Sequence, residues 1–368
     1  MKTVIRLTTL ACLLAARSTP ANASEFSSLQ TSGLVQGDTF SLPPVGRVFP
    51  KGKPQDAPLP PLQQRAGASF NPDRLDTYDS LKRYELLDVS DDVERAFVIG
   101  DVHGAYDPLT RLLNKANYQR GKDLLVFVGD LVIKGSKSIE VLDLAIQEDA
   151  KCVRGNYEDL LLSYRAEMDR FEQHGIPISS GYNNGVKDLA AKMTDSHWKY
   201  IESCPLVLEL PARFGQATMR NPLQRRLLIA HASLDLSKDM EHQDPYATIW
   251  EPYFKFVDGQ KFDTGREWLA NLNRHVFNQV KQDPALPVPL VLYGHDEDWN
   301  VNINSFSDGL DTLCYLRGQL TAMTYPDNLL HQESCETEPE YIPEWKLAQM
   351  AKEKEGQKAI TWPRKVAN

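Results

Sequence analysis

The chain has 368 residues, 42% of them hydrophobic and 25% charged, with a formal net charge of -9. That length can bury a substantial core as one large domain with appendages or as two smaller ones. The acidic balance argues against nucleic acid as a partner, which needs a basic face, but still allows an anionic substrate at a locally positive site.

The N-terminus has the layout of a secretory signal peptide over residues 1–23. "MKTVIR" gives a positive region, "LTTLACLLAA" an apolar one, and "ANAS" a small-residue cleavage site after Ala23. The apolar run is too short for an ordinary transmembrane helix, so no stable membrane anchor is expected after cleavage. Cleavage removes three positive charges and no acid, taking the net charge from -9 to -12. Arg6, Arg17, several Thr and Ser and no acid before Glu25 also fit an organellar transit peptide, which stays open as the alternative address. Cys152, Cys204, Cys314 and Cys335 remain in the mature chain, without zinc-site or disulfide-framework spacing. Cys152 and Cys314 lie among apolar neighbours and read as buried small hydrophobes. Bridges stay possible, with Cys314 and Cys335 the pair to test.

Residues 24–83 are rich in Pro, Gln, Ser and Gly and read as an extended arm. A folded domain is expected over 84–330. "RAFVIG" is a short strand followed by Asp101, and "DPLTRLLNKANY" is a helix by the spacing of its leucines. "DLLVFVGD" repeats the strand-then-Asp pattern, "SIEVLDLAIQED" is a second helix, "AKCV" a third strand and "YEDLLLSYRAEMDRF" a third helix. This alternation argues for an α/β fold with a parallel or mixed sheet flanked by helices and polar residues gathered at strand exits. Later strands are "LVLEL", "RLLIA", "PLVLYG" and "GQLTAMTY", the second and third running into His231 and His295. Between those two lies an aromatic-rich, partly helical insertion at about 240–285, expected to pack over the sheet, and 331–368 is a C-terminal tail.

Asp101 and His103 stand two apart after a strand, so an extended chain there points both side chains the same way. Asp130, Asn156, His231 and His295 each follow another apolar strand. Six oxygen or nitrogen donors at strand exits suit a pair of divalent cations: a carboxylate can bridge, and imidazoles favour zinc, iron or manganese. Each element alone is weak, since "GDVHG" by itself could be a glycine-rich turn and a lone histidine is more often a satisfied core residue. The ordered series is the signal.

"GDVHG", "GDLVIKG", "RGNYED", "LIAHAS" and "YGHD" resemble the five blocks of calcineurin-like metallophosphoesterases of the phosphoprotein-phosphatase superfamily. "GLDTLCYLRGQLTAMTYP" is similar to the closing segment of the diadenosine-tetraphosphatase-like branch, and "GDLVIKGSKS", "AKCVRGN" and "VLYGHD" are most similar to fungal vacuolar endopolyphosphatase-type members. The resemblance spans about residues 96–325. It implies two mixed β-sheets in a sandwich flanked by helices, with a dinuclear metal site at strand C-terminal ends, in place of a simple doubly wound sheet. By position it implies that Asp101, His103 and Asp130 hold a first metal and that Asp130, Asn156, His231 and His295 hold a second. The two divalent ions would be Zn, Mn, Fe or Mg, with Asp130 bridging. It further implies that Arg154 grips phosphate, as does Lys134, which stands where many members carry an arginine and offers a point charge without a bidentate fork. Arg317 is either a further charge near the substrate or a solvent-facing loop arginine. Smaller departures are Ser233 for a usual Gly and Asp296 for a usual Thr.

The main departure is Tyr157. Most of the superfamily has there a histidine that protonates the leaving oxygen, and the protein-phosphatase branch orients it with an aspartate at the position of Ile133. Both groups are missing together. A general acid gives about 10²–10⁴-fold and matters most for alkoxide leaving groups. Phosphoanhydrides leave as stabilised anions, so metals and cationic side chains can carry most of the catalysis. The expectation is therefore a hydrolase of polyphosphate or another phosphoanhydride, vacuolar or extracellular, with a phosphorylated small molecule or polyphosphate as partner. A phosphoprotein phosphatase is the second reading, and a non-catalytic metal- and phosphate-binding pseudophosphatase the third.

Overall fold

A computed structural model describes residues 78–216, 224–250 apart from 237, and 287–338 apart from 299 and 305, with a few backbone positions between 251 and 286. The signal-like leader, the arm up to residue 77, most of the aromatic insertion and the tail beyond 338 lie outside the described residues. Among the described residues no helix is long and apolar enough to cross a membrane.

In chain order the elements are β1 (Tyr84–Leu86), β2 (Arg95–Ile99), α1 (Tyr106–Lys115), β3 (Asp123–Phe127), α2 (Ser138–Gln147), β4 (Lys151–Cys152) and α3 (Asn156–His174). There follow α4 (Asn184–Ala190), α5 (Asp195–Ser203), β5 (Val207–Glu209), β6 (Arg225–Ala230) and α6 (Pro245–Trp250). A small ribbon of β7 (Lys255–Phe256) and β8 (Gln260–Lys261) precedes β9 (Val288–Tyr293), β10 (Asn302–Ile303), β11 (Ser307–Gly309), β12 (Gln319–Tyr325) and β13 (Leu329–Ser334).

The strands form two mixed sheets, as the resemblance implies. One has the order β1-β5-β6-β9-β11-β10 and the other β13-β12-β2-β3-β4. Strands β2, β3 and β4 run parallel to one another, as do β6 and β9. Every residue of β3 is buried, which is what a central parallel strand covered on both faces requires. Alternation assigns the faces. Ala96, Val98, Leu124 and Val126 share a cluster with Leu208, Leu227, Ile229, Leu290 and Leu292, which is the interior between the sheets. The opposite faces of β2 and β3 place Phe97, Ile99, Leu125 and Phe127 against leucines of α1, α2 and α3. The outer face of the other sheet packs Leu228, Val291 and Tyr293 with Ile249 of α6 and with Tyr78 and Leu81, so the packed region reaches back at least to Tyr78. These layers leave the exits of β2, β3, β4, β6 and β9 free to carry polar side chains.

The cysteine reading needs correction. Cys314 does pair with Cys335, and Cys152 pairs with Cys204, with Cα separations of 5.2 and 5.0 Å. Cys152 and Cys314 are buried, but as half-cystines rather than unpaired small hydrophobes. Sequence spacing hid the Cys152–Cys204 bridge because helices α3, α4 and α5 intervene before the chain returns beside β4. Cys152→Ser is expected to lower stability by about 2–5 kcal/mol, as loss of a native bridge does. Urea denaturation monitored by circular dichroism measures it, and a midpoint equal to the parent's would mean the bridge is dispensable.

Candidate active site

Six predicted donors converge. Asp101, His103 and Asp130 form one triplet and Asp130, His231 and His295 another, with the candidate ligand atoms of each triplet within 4.8 Å of one another. Asn156 joins the second through Oδ1, 2.9 Å from His231 Nε2 and 3.0 Å from His295 Nδ1.

The loops reach this arrangement by tight backbone contact. The chain does not stay extended at His103, as the two-residue spacing predicts, but turns into the left-handed region with φ 48°. Convergence comes instead from the β3 exit, where the Asp130 carbonyl accepts the N–H groups of Val102 and His103 at 3.1 and 2.8 Å. Gly294 permits the approach of β9, because a Cβ there would lie 2.0 Å from Asp101 Oδ1. The His295 N–H then donates to the Asp101 carboxylate at 3.2 Å. A Cβ at Gly155 would likewise fall 2.3 Å from Asp130 N. Asp130 accepts the Tyr157 N–H at the start of α3, 3.0 Å away, so the positive end of that helix faces the carboxylate.

The histidines are set as neutral candidate ligands. Burial pushes His231 down to about 3 and holds His103 and His295 well below the usual imidazole value. His231 Nδ1–H donates to Val128 O at 2.8 Å, His103 Nδ1–H to Val132 O at 3.2 Å, and His295 donates to the carbonyl of Trp250. Each ring thus spends its proton on a backbone carbonyl and turns a lone pair to the cluster, the outer support that metal-binding histidines use. His231 Nε2, His295 Nδ1 and Asn156 Oδ1 are then three acceptors within 2.9–3.2 Å of one another. Acceptors at such range repel unless a cation stands among them, and these separations suit the edges of a polyhedron with metal–ligand bonds of about 2.0–2.2 Å. The residues fit metal ions.

The acids point the same way. Burial raises Asp101 well above the usual carboxylate value, with Asp311 and Asp130 adding to it, and raises Asp130 to about 7. Burial also raises Glu158 to about 8, with Asp130 adding to it. Opposite charge nearby would restore the ionised forms.

Lys134 supplies one cation. Its side chain is 5% exposed, with Nζ 2.9 Å from His103 Nε2, 3.6 Å from Glu297 Oε1 and 3.7 Å above the Tyr315 ring. Burial alone would depress the ammonium, but Tyr315, Glu297, Asp130 and Asp311 outweigh it and hold the pKa above its ordinary value. Tyr157 is buried in the helix-side core, edge-on to His103 with ring centroids 5.1 Å apart, and 4.9 Å from Lys134 Nζ. Arg154 is buried beside Asp159, Nη1 to Oδ1 3.8 Å, and burial lowers its pKa against the pull of Asp159. Arg317 is exposed on the turn after Tyr315 and donates from Nε to the Glu338 carbonyl at 3.2 Å.

Four acids and a phenol at the site were not singled out from the sequence. Glu158 accepts the N–H groups of Asp130, Leu131 and Gly155 at 2.8, 2.9 and 3.0 Å, tying two strand exits together. A carboxylate at the third helical position after a glycine cap was its available signal. Glu297, which accepts from Tyr315 Oη, and Asp159, which accepts from Tyr78 and Trp250, carry no local signal, because those partners come from distant segments; Asp311 accepts the Leu313 N–H within its own turn.

Hydrolases of phosphate esters and anhydrides use clusters of this kind to hold metal ions. The calcineurin-like phosphoesterase family model matches residues 95–296, more than half of the chain, and the chain belongs to that family. The symmetrical bis(5'-nucleosyl)-tetraphosphatase of Colwellia psychrerythraea is 32% identical over 117 residues, covering 31% of this chain and 38% of that protein. The Escherichia coli O1:K1 protein of the same description is 41% identical over 189 residues, 48% of this chain and 58% of that one. The asymmetrical bis(5'-nucleosyl)-tetraphosphatase PrpE of Anoxybacillus flavithermus is 25% identical over 248 residues, 62% of this chain and 90% of that one.

A divalent ion that binds only the folded chain stabilises it by about 2.7 kcal/mol at a hundred times its Kd. Chelation is therefore expected to lower Tm by several degrees and manganese or zinc to restore it. Asp130→Asn should abolish that response and lower the metal content measured by elemental analysis. An Asp130→Asn protein that keeps its full metal content would remove Asp130 from the site.

Proposed function

We propose that this chain is a dinuclear metal-dependent hydrolase of phosphoanhydrides, with polyphosphate or a dinucleoside polyphosphate as substrate. The observation that carries the reading is the pair of donor triplets sharing Asp130, set beside two buried cationic side chains, with Tyr157 rather than an imidazole directly after Asn156. Asp101, His103 and Asp130 would hold one ion and Asp130, Asn156, His231 and His295 the other. When bound, the ions activate water and neutralise charge on phosphate oxygens. Lys134 and Arg154 supply the remaining positive charge for a substrate anion in a low-dielectric setting, where such contacts are strong.

Leaving-group chemistry selects the anhydride. Tyr157 packs against His103 within the apolar core, and Ile133 offers no carboxylate to orient an acid. A phosphate leaving group needs no such donor, whereas a serine alkoxide does. The relatives described as bis(5'-nucleosyl)-tetraphosphatases support the same chemical class. The two disulfides support an oxidising compartment and so the secretory reading of the leader.

The test is phosphate release by metal-loaded protein from polyphosphate, diadenosine tetraphosphate, p-nitrophenyl phosphate and a phosphoserine peptide. Turnover is expected on the anhydrides and little on the peptide. Metal-loaded protein that binds phosphate but turns over none of the four would leave the pseudophosphatase reading. Arg154→Ala should lower kcat/KM on the preferred anhydride roughly 100-fold, and an unchanged value would make Arg154 a packing residue.

A second variant rebuilds the acid. Ile133 occupies the left-handed region with φ 67°, where aspartate is better tolerated than a β-branched residue. Ile133→Asp with Tyr157→His is expected to gain far more on alkyl phosphate esters than on polyphosphate, with Tyr157→His alone in between. Equal gains on both substrates would show that proton donation is not what limits the native protein.

A further inference from the structure

Asp159 sits in the first turn of α3, five residues after Arg154, and is buried. Its Oδ2 accepts the Tyr78 hydroxyl at 3.1 Å and the Trp250 indole N–H at 2.9 Å. Its Oδ1 faces Arg154 Nη1 at 3.8 Å, too long for a hydrogen bond. Arg154 Nε and Nη1 have no hydrogen-bond partner among the described residues, although the side chain is only 4% exposed. A buried guanidinium with open donors is a costly arrangement in which a ligand oxygen would complete the bonding.

The two neutral donors explain why the carboxylate leaves the arginine open. An unrestrained aspartate at this range would rotate into a bidentate pair with the guanidinium, the favoured geometry for these groups. Tyr78 and Trp250 pin Oδ2 from the other side and so hold the carboxylate at a distance that compensates charge without consuming the N–H groups.

Trp250 also reaches the metal ligands. It ends α6, and its own carbonyl accepts from the His295 ring. The same helix is fastened to the loop after His231: Ala232 N–H donates to Thr248 O at 2.9 Å and Ser233 Oγ–H to Ala247 O at 2.6 Å. One short element therefore bears on the Arg154 arm through a side chain and on His295 through its backbone.

We propose that Trp250, acting through Asp159 together with Tyr78, is a positioning residue that keeps the Arg154 guanidinium open for a phosphate oxygen. The proposal rests on Arg154 being a phosphate-binding residue, as the proposed function has it. Without the indole N–H, the Asp159 carboxylate swings onto Arg154 and competes with the incoming phosphate.

The experiment is calorimetric titration of inorganic phosphate into the metal-loaded full chain. Trp250→Phe keeps the apolar bulk and the backbone carbonyl, so metal content should stay at the parent level. Phosphate should bind roughly tenfold more weakly, the worth of about one hydrogen bond to a charged group. Adding Asp159→Asn to Trp250→Phe removes the competing charge and should recover most of the lost affinity, a rescue that a merely structural role for Trp250 does not produce. Tyr78→Phe should weaken phosphate in the same direction, and it serves as the test if Trp250→Phe does not fold. Parent-like phosphate affinity in the Trp250→Phe protein, or no recovery in the double variant, would overturn the proposal. Failure of the parent protein itself to bind phosphate would overturn the phosphate-binding role of Arg154, and this inference with it.

Discussion

The structure around the candidate centre depends on one buried carboxylate, that of Asp130. It belongs to both donor triplets, it is buried at 2% exposure, and that burial raises its pKa to about 7. Such a group stays ionised only if positive charge and N–H donors surround it closely. The N-terminus of α3 supplies an N–H, Lys134 supplies charge, and the donor geometry leaves room for metal ions to supply the rest. Glu158 fixes the position by binding the backbone N–H groups of Asp130, Leu131 and Gly155, so the exits of β3 and β4 cannot separate without stranding a buried acid.

Backbone strain gathers at the same place. His103, Asp130, Ile133, Lys134 and His295 all have φ between 48° and 67°. Left-handed non-glycine residues cost about 1–3 kcal/mol each and persist only where their surroundings over-determine them. Here the determinants are visible. The Asp130 carbonyl takes two N–H groups from the β2 exit, Ser138 Oγ accepts the Ile133 N–H at 2.9 Å, and Gly135 N–H donates to His103 O at 2.7 Å. The bend at Ile133 and Lys134 delivers the ammonium between the rings of Tyr157 and Tyr315. A packed phenol at position 157 thus has a structural use: it walls the lysine and His103, and stays in the apolar core.

Two supports frame the centre from outside the sandwich. The Cys152–Cys204 bridge anchors β4 just before Arg154, whose N–H donates to the carbonyl of Pro205 at 2.9 Å. Helix α6 reaches the loop after His231 and the ring of His295. Arg154 and the histidines are therefore placed by segments distant in the chain, through contacts that tolerate little displacement.

The six donors were legible in the sequence because each follows a short apolar strand, and the period of the hydrophobic residues marks strand exits without knowledge of their neighbours. The helices α1, α2 and α3 were legible for the same reason, from leucines at helical spacing. Tyr157 and Ile133 were legible as departures, since identity at a motif position needs no coordinates. The pairing of Cys152 with Cys204, the Glu158 cross-link, the lysine cage of Glu297 and Tyr315 and the Tyr78–Trp250 fork on Asp159 were not. Each joins residues whose separation along the chain carries no periodic signal, and each exists only because stacking two sheets brings their strand exits and outer helices together. Motif order alone marks the candidate metal donors and puts Tyr157 where the resemblance implies an acid. Which lone pairs face one another and which carboxylates are buried follows from packing, because burial and acceptor repulsion belong to neighbours in space and not to a position in the chain.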